Sequence, residues 1–421
     1  MSVIGIGPHL DTRRAEDAAA VLRTTSAVRE RAQLLLSRAR EGDSHWFSVH
    51  DDALQTAATE VVDVTRARYP DLAIPYHSRW RHFEAGGVNR KAELDARLSG
   101  LDTQDRARAM IDLAVVSVLL DAGAGPDWHY DEAASGQRFA RSEGLGVASW
   151  HAFLGGLFSS DAEHSLQVDA AALRGLVTDR LAEFFQAGSS NPLVGLEGRV
   201  LLLRRLGEAL SAQPEVFGPR GRPGSLFDVL VAQRGAGTAT VAAHDILSHV
   251  LVSLSGIWPA GNTIGTQPLG DCWRHEAVVG PGLTRGWVPF HKLSQWLTYS
   301  LLEPFEWAGV RVVGLDALTG LPEYRNGGLL LDTGVLRLHD PAWAARRWTA
   351  GDEVVVEWRA LTVALLDELA PLVRERLGAN AEQMPLACVL EGGTWAAGRS
   401  LSQRTRGGLP PLSIVSDGTV F

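Results

Sequence analysis

Apolar residues recur at three- and four-residue intervals along most of this 421-residue sequence, and this spacing constrains the fold more than any other feature. It places apolar side chains on one face of an α-helix. Short β-like pieces near 310–313, 329–331 and 413–415 do not alternate with helices as a parallel sheet would require. We therefore predict a mainly α, compact fold with a few short β pieces. The predicted helices cover residues 15–40, 54–68, 104–120, 170–185, 198–210, 291–302 and 354–377.

Length and composition indicate a globular chain with enough apolar residues, 45%, for a sizeable core. We expect an N-terminal helical part at 1–100 and a helical core at 101–421, which together could form one compact domain. The formal net charge of −9 argues against non-specific nucleic-acid binding. Two distant cysteines, Cys272 and Cys388, suggest neither a disulfide framework nor a zinc site. No cofactor or metal is expected.

The sequence predicts neither export nor membrane insertion. The N-terminus is apolar only briefly, unlike a secretory signal. The longest apolar run, 241–258, is interrupted by His244, Asp245 and His249, so it is interpreted as a buried helix. We therefore expect a cytoplasmic protein.

One predicted helix carries an unusual polar stripe. At helical spacing a cation, two aromatic residues and a carboxylate share a face, namely Lys292, Trp296, Tyr299 and Glu303. Burying a charged side chain without a partner costs roughly several kcal/mol, unless the group loses its charge. The stripe therefore favours a pocket for a polar, ring-bearing substrate.

Residues 318–334 contain the densest group of side chains capable of chemistry. Glu323, Tyr324, Arg325 and Asn326 precede Gly327-Gly328, and Asp332 follows. A Gly-Gly turn would let the backbone approach a ligand closely while the carboxylate is held rigidly. The alternative is a structural turn with a Glu323–Arg325 pair.

A cationic and aromatic segment lies at 75–91. It contains His77, Arg79 and Arg81, and arginine side chains bind phosphate bidentately. This segment predicts a clamp for a phosphomonoester. The alternative is a solvated cationic turn whose aromatic residues are buried in the core.

Two further places combine polar groups with a helix boundary. Asp127 and Trp128 follow a helix that ends near residue 120, and Asp228 follows a Gly-Ser pair. Each could contribute to a substrate site, with Asp228 holding a substrate hydroxyl. Each aspartate could instead cap the next helix.

Six long strings of the sequence are unlikely to occur by chance, namely Tyr76-His77-Ser78-Arg79-Trp80-Arg81-His82-Phe83-Glu84, Pro268-Leu269-Gly270-Asp271-Cys272-Trp273, Phe290-His291-Lys292-Leu293-Ser294-Gln295-Trp296-Leu297, Leu321-Pro322-Glu323-Tyr324-Arg325-Asn326-Gly327-Gly328, Gly393-Thr394-Trp395-Ala396-Ala397-Gly398-Arg399 and Ser416-Asp417-Gly418-Thr419-Val420-Phe421. In these strings, and over its full length, the sequence resembles the uracil-catabolism protein family of fungi and bacteria, long catalogued as a domain of unknown function. The resemblance implies a role in the route that converts uracil through uridine monophosphate to a ring-opened ribosylurea phosphate and finally to urea.

From about residue 167 to 334 the sequence also resembles, more distantly, the queuosine-salvage nucleoside-5′-phosphate N-glycosidases. Those proteins have a helical fold akin to helix-hairpin-helix DNA glycosylases. They carry a lysine after an aromatic residue at the head of a helix and, about thirty residues later, an acidic-Tyr-Arg triplet. The matching residues here are His291-Lys292, Glu323-Tyr324-Arg325, Val168-Asp169 and the segment from Asn191-Pro192-Leu193 to Arg199. Glutamate replaces the aspartate of that family, which leaves open whether Glu323 or Asp332 acts at the anomeric carbon.

Together these features predict a hydrolase that cleaves the N-glycosidic bond of a phosphorylated riboside, most plausibly ribosylurea phosphate. Glu323, or else Asp332, would stabilise the cationic transition state. Lys292 would orient the carboxylate or protonate the leaving group. The sugar would lie against Trp296, Tyr299 and Tyr324, and Arg325 with the Arg79 and Arg81 segment would bind the phosphate. A non-catalytic sensor of a pyrimidine-derived phosphate and an amidohydrolase acting on the urea group are the alternatives.

Overall fold

Most of the helices expected from apolar spacing are found in the computed structural model, which describes residues 10–232, 239–258 and 261–415. The fold is mainly α-helical. The terminal Ser416–Phe421 string lies outside the described residues. The helices are α1 Ala15–Leu22, α2 Thr25–Arg40, α3 Leu54–Arg68, α4 Trp80–Phe83, α5 Arg90–Arg97, α6 Thr103–Leu119, α7 Arg141–Leu154, α8 Ala170–Gly175, α9 Thr178–Phe184, α10 Leu196–Ser211, α11 Pro214–Phe217, α12 Leu226–Ala232, α13 Ala243–Ser253, α14 Lys292–Trp307, α15 Tyr324–Asp332, α16 Glu353–Leu377, α17 Leu386–Val389 and α18 Trp395–Arg406.

The strands are short and occur in pairs among the described residues. The pairs β4–β9 and β11–β12 are parallel, and the others are antiparallel. The predicted piece at 310–313 is β9, and that at 413–415 is β12. The strands are β1 Phe47–Val49, β2 His129–Glu132, β3 Gln137–Ala140, β4 Thr240–Ala242, β5 Thr263–Ile264, β6 Gln267–Pro268, β7 Cys272–Arg274, β8 Trp287–Pro289, β9 Arg311–Val313, β10 Leu336–Leu338, β11 Arg347–Trp348 and β12 Ser413–Ile414.

Two of the predicted helices are each divided in two, for local reasons. Thr24 has an extended backbone, and its hydroxyl accepts a hydrogen bond from the amide of Ala27 at 3.1 Å, so it ends α1 and caps α2. Between α8 and α9, Leu176 and Val177 are extended. Apolar spacing continues across both breaks, which is why it predicts single helices.

The expectation of a β-like piece at 329–331 is wrong, because these residues lie inside α15. A short run of leucines fits a buried strand and a buried helix equally well. Gly327 and Gly328 are also helical, so the predicted Gly-Gly turn is absent. Gly327 allows close packing, since a Cβ there would lie 2.6 Å from the indole of Trp358.

The chain forms two compact units that are interleaved along the sequence. The predicted division near residue 100 coincides with no boundary of either unit, and a domain boundary there stays a prediction. As far as their residues are described, the first unit comprises Met1–His77, Ala260–Gln295 and Gly314–Val415, and the second comprises Ser78–Pro259, Trp296–Val313 and Ser416–Phe421.

Each unit is built around one long, largely buried helix. In the first unit this is α16, which packs against α2 and α3. In the second it is α6, whose residues from Ala109 to Leu119 are all buried and which packs against α7, α10 and α12. None of the helices in the described residues is both long and apolar enough to span a membrane.

Candidate functional site

Glu323 is placed by the start of α15, where it is the N-cap residue. Its backbone is extended, and its carboxylate accepts hydrogen bonds from the amides of Arg325 at 2.7 Å and Asn326 at 2.6 Å. The positive end of the helix therefore faces this carboxylate. Burial nevertheless raises the pKa of Glu323, against the lowering effect of these two amides and of the nearby positive charges, first among them Lys292.

Lys292 is the first residue of α14 and is half-buried. Its charge acts on the Glu323 carboxyl, where it opposes the pKa rise caused by burial. The first unit therefore brings together the lysine and the carboxylate that were predicted to share a site. A half-buried cation and carboxylate in each other's field are suited to stabilising charge that develops during a reaction.

A buried ion pair contacts the backbone of both segments that carry these side chains. Arg359 binds Asp271 bidentately at 2.7 and 2.8 Å. The same aspartate accepts a hydrogen bond at 3.0 Å from the backbone amide of Lys292, and the same arginine donates one at 3.2 Å to the carbonyl of Pro322, next to Glu323. Because one pair contacts both segments, it fixes the start of α14 relative to the loop before α15.

The Asp271 carboxylate of this pair stays ionised at neutral pH. Burial raises the pKa of Asp271, but Arg359 and the hydrogen bonds from Lys292 and Trp273 lower it further, to about 2. A second bridge connects the same two segments, because the Gln295 side chain accepts from the amide of Thr319 at 2.8 Å and donates to its hydroxyl. The sequence does not predict Arg359 or Thr319 as site residues. A single polar residue in a mostly apolar stretch is as often part of the core as part of a site.

The ring of His291 contacts the protein backbone, which indicates a structural role. It has a left-handed backbone with φ of 49°, and its ring Nε2 bonds the carbonyl of Leu22 at 2.9 Å. A carbonyl only accepts, so Nε2 carries a proton. Burial lowers the pKa of His291 and favours the neutral ring. A role as a substrate ligand is not supported by these contacts.

The residues that follow Glu323 differ in accessibility. Tyr324 is half-buried, and the guanidinium of Arg325 lies 4.7 Å from its ring centre. Arg325 is buried and donates to the hydroxyl of Ser402 at 3.0 Å. Asn326 is fully buried and donates to the carbonyl of Leu321 at 3.0 Å. Of the three, Tyr324 is the least buried.

Asp332 lies at the opposite end of α15 from Glu323. The helix has nine residues, which separates its ends by about 13 Å. Asp332 forms a bidentate ion pair with Arg406, with 2.7 Å between Nη2 and Oδ2. The two carboxylates therefore cannot both act on one carbon atom. Of the two, the geometry favours Glu323 as the residue at the anomeric carbon.

The cationic segment contributes to the core of the second unit. Arg79 is completely buried, donates to the Ser117 hydroxyl at 2.6 Å and pairs with Asp121 at 3.0 Å. Arg81 pairs with Glu303 at 2.8 Å and with Glu84 at 3.1 Å. Neither the phosphate clamp nor the solvated turn describes Arg79, because its guanidinium has no access to solvent.

The aromatic residues of the α14 stripe are also buried. Tyr299 is fully buried, and Trp296 packs edge-on against His82, with Arg79 5.6 Å from its ring centre. Both belong to the second unit, whereas Lys292 belongs to the first. The expected pocket wall formed by Trp296 and Tyr299 is therefore not supported. The carboxylate of Glu303 lies on this face of α14 because Arg81 forms an ion pair with it.

The remaining predicted site residues lie in the second unit, with other roles. Trp128 is buried and donates to the carbonyl of Phe185 at 3.0 Å. Asp127 is exposed and precedes strand β2, so it caps no helix. Asp228 binds Arg108 bidentately at 2.6 and 2.9 Å. These residues belong to the second unit, whereas Glu323 belongs to the first.

His77 is buried in the first unit, where its ring Nδ1 lies 2.8 Å from Glu391. Glu391 was not proposed from the sequence, because it lies just before the Gly393–Arg399 string and has no motif of its own. Among the residues that the structure describes, no three His, Cys, Asp or Glu side chains are grouped as metal ligands would be. Independence from metal stays a prediction.

Comparison with known proteins gives the family. The model of a family described as "Protein of unknown function (DUF1688)" matches residues 21–421. The chain belongs to this family.

Two curated relatives of this DUF1688 protein cover most of its length. "Uracil catabolism protein 4" of Lachancea kluyveri is 41% identical over 380 residues, which are 83% of this chain and 85% of the relative. "Protein urg3" of Schizosaccharomyces pombe is 39% identical over 413 residues, which are 96% of this chain and 99% of the relative. The full-length family resemblance seen in the sequence is confirmed.

Proposed function

We propose that this protein acts in uracil catabolism as an N-glycoside hydrolase that cleaves ribosylurea 5-phosphate to urea and ribose 5-phosphate. The name of the Lachancea kluyveri relative, "Uracil catabolism protein 4", supports the pathway. One structural observation carries the chemistry: Lys292 and the N-cap carboxylate of Glu323 lie in each other's field and are fixed by the Asp271–Arg359 pair.

The proposed mechanism follows from the charge that develops on the sugar. When the C1′–N bond breaks, its electron pair leaves with nitrogen and the ribose becomes an oxocarbenium ion. An ionised carboxylate near C1′ stabilises this cation more than it stabilises the neutral substrate. The charge of Lys292 favours the ionised form of Glu323, whereas burial, the larger effect, favours the neutral form. Tyr324, next in the chain, would contact the sugar.

The pathway role and the bond cleaved are tested by product identity. Purified protein incubated with ribosylurea 5-phosphate is expected to release equimolar urea and ribose 5-phosphate. Release of ammonia would indicate an amidohydrolase instead. Tight binding without any product would indicate a sensor, and the hydrolase proposal would be abandoned.

The role of Glu323 is tested by Glu323→Gln. The amide keeps the shape of the side chain but loses the negative charge, so we expect kcat to fall by about 100-fold or more with little change in substrate binding. Asp332→Asn is the matched control, because its partner is Arg406 at the far end of α15. It should lower stability and leave kcat within a few-fold. The assignment of Glu323 fails if Asp332→Asn causes the larger loss of kcat.

The pH dependence gives a second test. Since burial raises the pKa of Glu323, its ionised fraction should increase over a pH range above that of an ordinary glutamate. The proposed reaction needs the ionised form, so kcat/KM should fall as the pH decreases through this raised pKa.

The phosphate on the substrate stays a proposal from family resemblance. Arg79, Arg81 and Arg325 all have protein partners, so none of them is assigned to it. Comparing kcat/KM for ribosylurea 5-phosphate with that for free ribosylurea would show whether the phosphate contributes to recognition.

A further inference from the structure

Glu391 occupies an unusual piece of backbone, a single turn of π-helix at Leu390–Thr394 between α17 and α18. Such turns are rare and are often found at functional sites. The carboxylate is buried, and three side chains surround it: Arg68 at 2.7 Å, Tyr69 at 3.1 Å and His77 at 2.8 Å. Burial raises the pKa of Glu391, but the hydrogen bond and charge of His77, with Arg68, lower it to about 2.

The carboxylate is therefore ionised at neutral pH, and this determines the state of His77. An ionised carboxylate accepts only, so Nδ1 of the imidazole carries a proton. The backbone amide of His77 donates to the carbonyl of Ala387 at 3.0 Å, which holds the residue in position. Within residues 10–232, 239–258 and 261–415, no group forms a hydrogen bond with Nε2. The side chain is 11% exposed.

This is the arrangement that orients a histidine for proton transfer. One nitrogen is fixed by a carboxylate, and the other is left for a substrate. The ring centre of Trp395 lies 6.4 Å from that of the imidazole, so an aromatic side chain is near the histidine. The π-helical turn and α18 both contact α15, whose N-cap is Glu323, and all of these elements belong to the first unit.

We infer that Glu391 and His77 form a proton-transferring dyad, in which Nε2 of His77 protonates the leaving nitrogen of an N-riboside. The inference rests on the proposed function. The C1′–N bond breaks with its electron pair on nitrogen, and the imidazolium gives its Nε2 proton to that nitrogen. Water forms the new C1′–O bond and loses a proton to Glu323, and this proton returns through solvent to His77.

Variants of both residues and a matched histidine control test the dyad. His77→Gln should lower kcat by about 100-fold, the usual contribution of a general acid. Glu391→Gln should lower it by about 10-fold. His339→Gln changes an exposed histidine of the same unit and should leave kcat unchanged. Far-ultraviolet circular dichroism and melting temperature would identify variants that do not fold.

The pH profile separates a proton donor from a structural histidine. A general acid must be protonated to act, so kcat/KM of the wild type should fall towards high pH. Glu391→Gln removes the negative charge beside Nδ1 of the imidazole and should change the pH at which this fall occurs. In His77→Gln the fall should disappear. The dyad is overturned if the alkaline limb is the same in wild type, Glu391→Gln and His77→Gln.

A measurement that needs no turnover keeps the two proposals apart. Diethyl pyrocarbonate reacts with accessible, neutral imidazole nitrogen, and mass spectrometry locates the modified histidine. His77 of native protein should be modified, and ribose 5-phosphate should slow the modification by at least about 5-fold while leaving that of His339 unchanged. If the wild type releases no urea, the proposed function fails. If His77 of the native protein is also unreactive, the dyad fails as well.

Discussion

Arg79 and Lys292 are both cations in aromatic-rich segments, but their surroundings give them different roles. Arg79 is completely buried, and burial lowers its pKa in spite of the charge of Asp121. Lys292 is half-buried in the field of Glu323. A run of arginine and aromatic residues looks the same in a sequence whether it binds phosphate or stabilises a core. The sequence could therefore indicate Lys292 and Glu323 as candidate site residues. It could not show that Arg79 is a core residue and not a phosphate ligand.

The Asp271–Arg359 pair leads to a prediction about residues that position others. Asp271→Asn should lower kcat by at least about 10-fold with a smaller change in KM, because the start of α14 and the loop before α15 lose their common support. It should also destabilise the protein by about 3 kcal/mol, since the buried Arg359 would lose its bidentate ion pair with Asp271.

Steady-state kinetics and urea denaturation measure the two effects of Asp271→Asn separately. Glu132→Gln is the matched control, because Glu132 forms a buried bidentate ion pair with Arg90 at 2.6 and 2.9 Å and its other partners, Ser135 and His151, lie in neither segment. It should reduce stability with little change in kcat. Equal kinetic effects of the two variants would show that the Asp271 pair is merely structural.

At the scale of elements, helix α3 was predicted with its observed ends, whereas α15 was not predicted at all. In α3 the apolar spacing and the helix boundaries coincide. In α15 two glycines interrupt the pattern, and glycine pairs are typical of turns. Tertiary packing overrides that preference here, because Gly327 lies against Trp358 and Gly398 of α18 lies against the backbone of Arg325.

The close approach of α15 and α18 predicts an unequal response to alanine. A Cβ on Gly398 would lie 2.1 Å from the carbonyl oxygen of Arg325, so Gly398→Ala should destabilise the protein by about 2 kcal/mol or more. Gly198 of α10 is also helical, and a Cβ there meets nothing within 4 Å. Gly198→Ala should stabilise it by about 0.5–1 kcal/mol. Urea denaturation of both variants checks the difference, and equal effects would contradict this account of α15.

At the scale of the whole molecule, the sequence predicted the mainly α class but not the course of the chain. The two units are interleaved, and α14 passes from the first to the second between Gln295 and Trp296. Helical periodicity shows which residues share a face, but not which segments cover that face. Lys292 and Glu303 were therefore assigned to one stripe, although each interacts with a different part of the sequence.

The last prediction concerns the pH dependence of stability, to which Glu303 should contribute strongly. Burial raises the pKa of Glu303 to about 7, against the charge of Arg81. Since the folded state then holds the proton more tightly than the unfolded chain, stability is lost as the pH rises from the ordinary glutamate range to about 7. We expect Glu303 to lower the free energy of unfolding by about 2–3 kcal/mol between pH 5 and pH 8.

Urea denaturation at several pH values tests this contribution. Glu303→Gln should remove this part of the pH dependence of the free energy of unfolding. Glu183→Gln changes an exposed residue of the same unit and should retain it. Parallel slopes for wild type and Glu303→Gln would show that Glu303 does not titrate in this range.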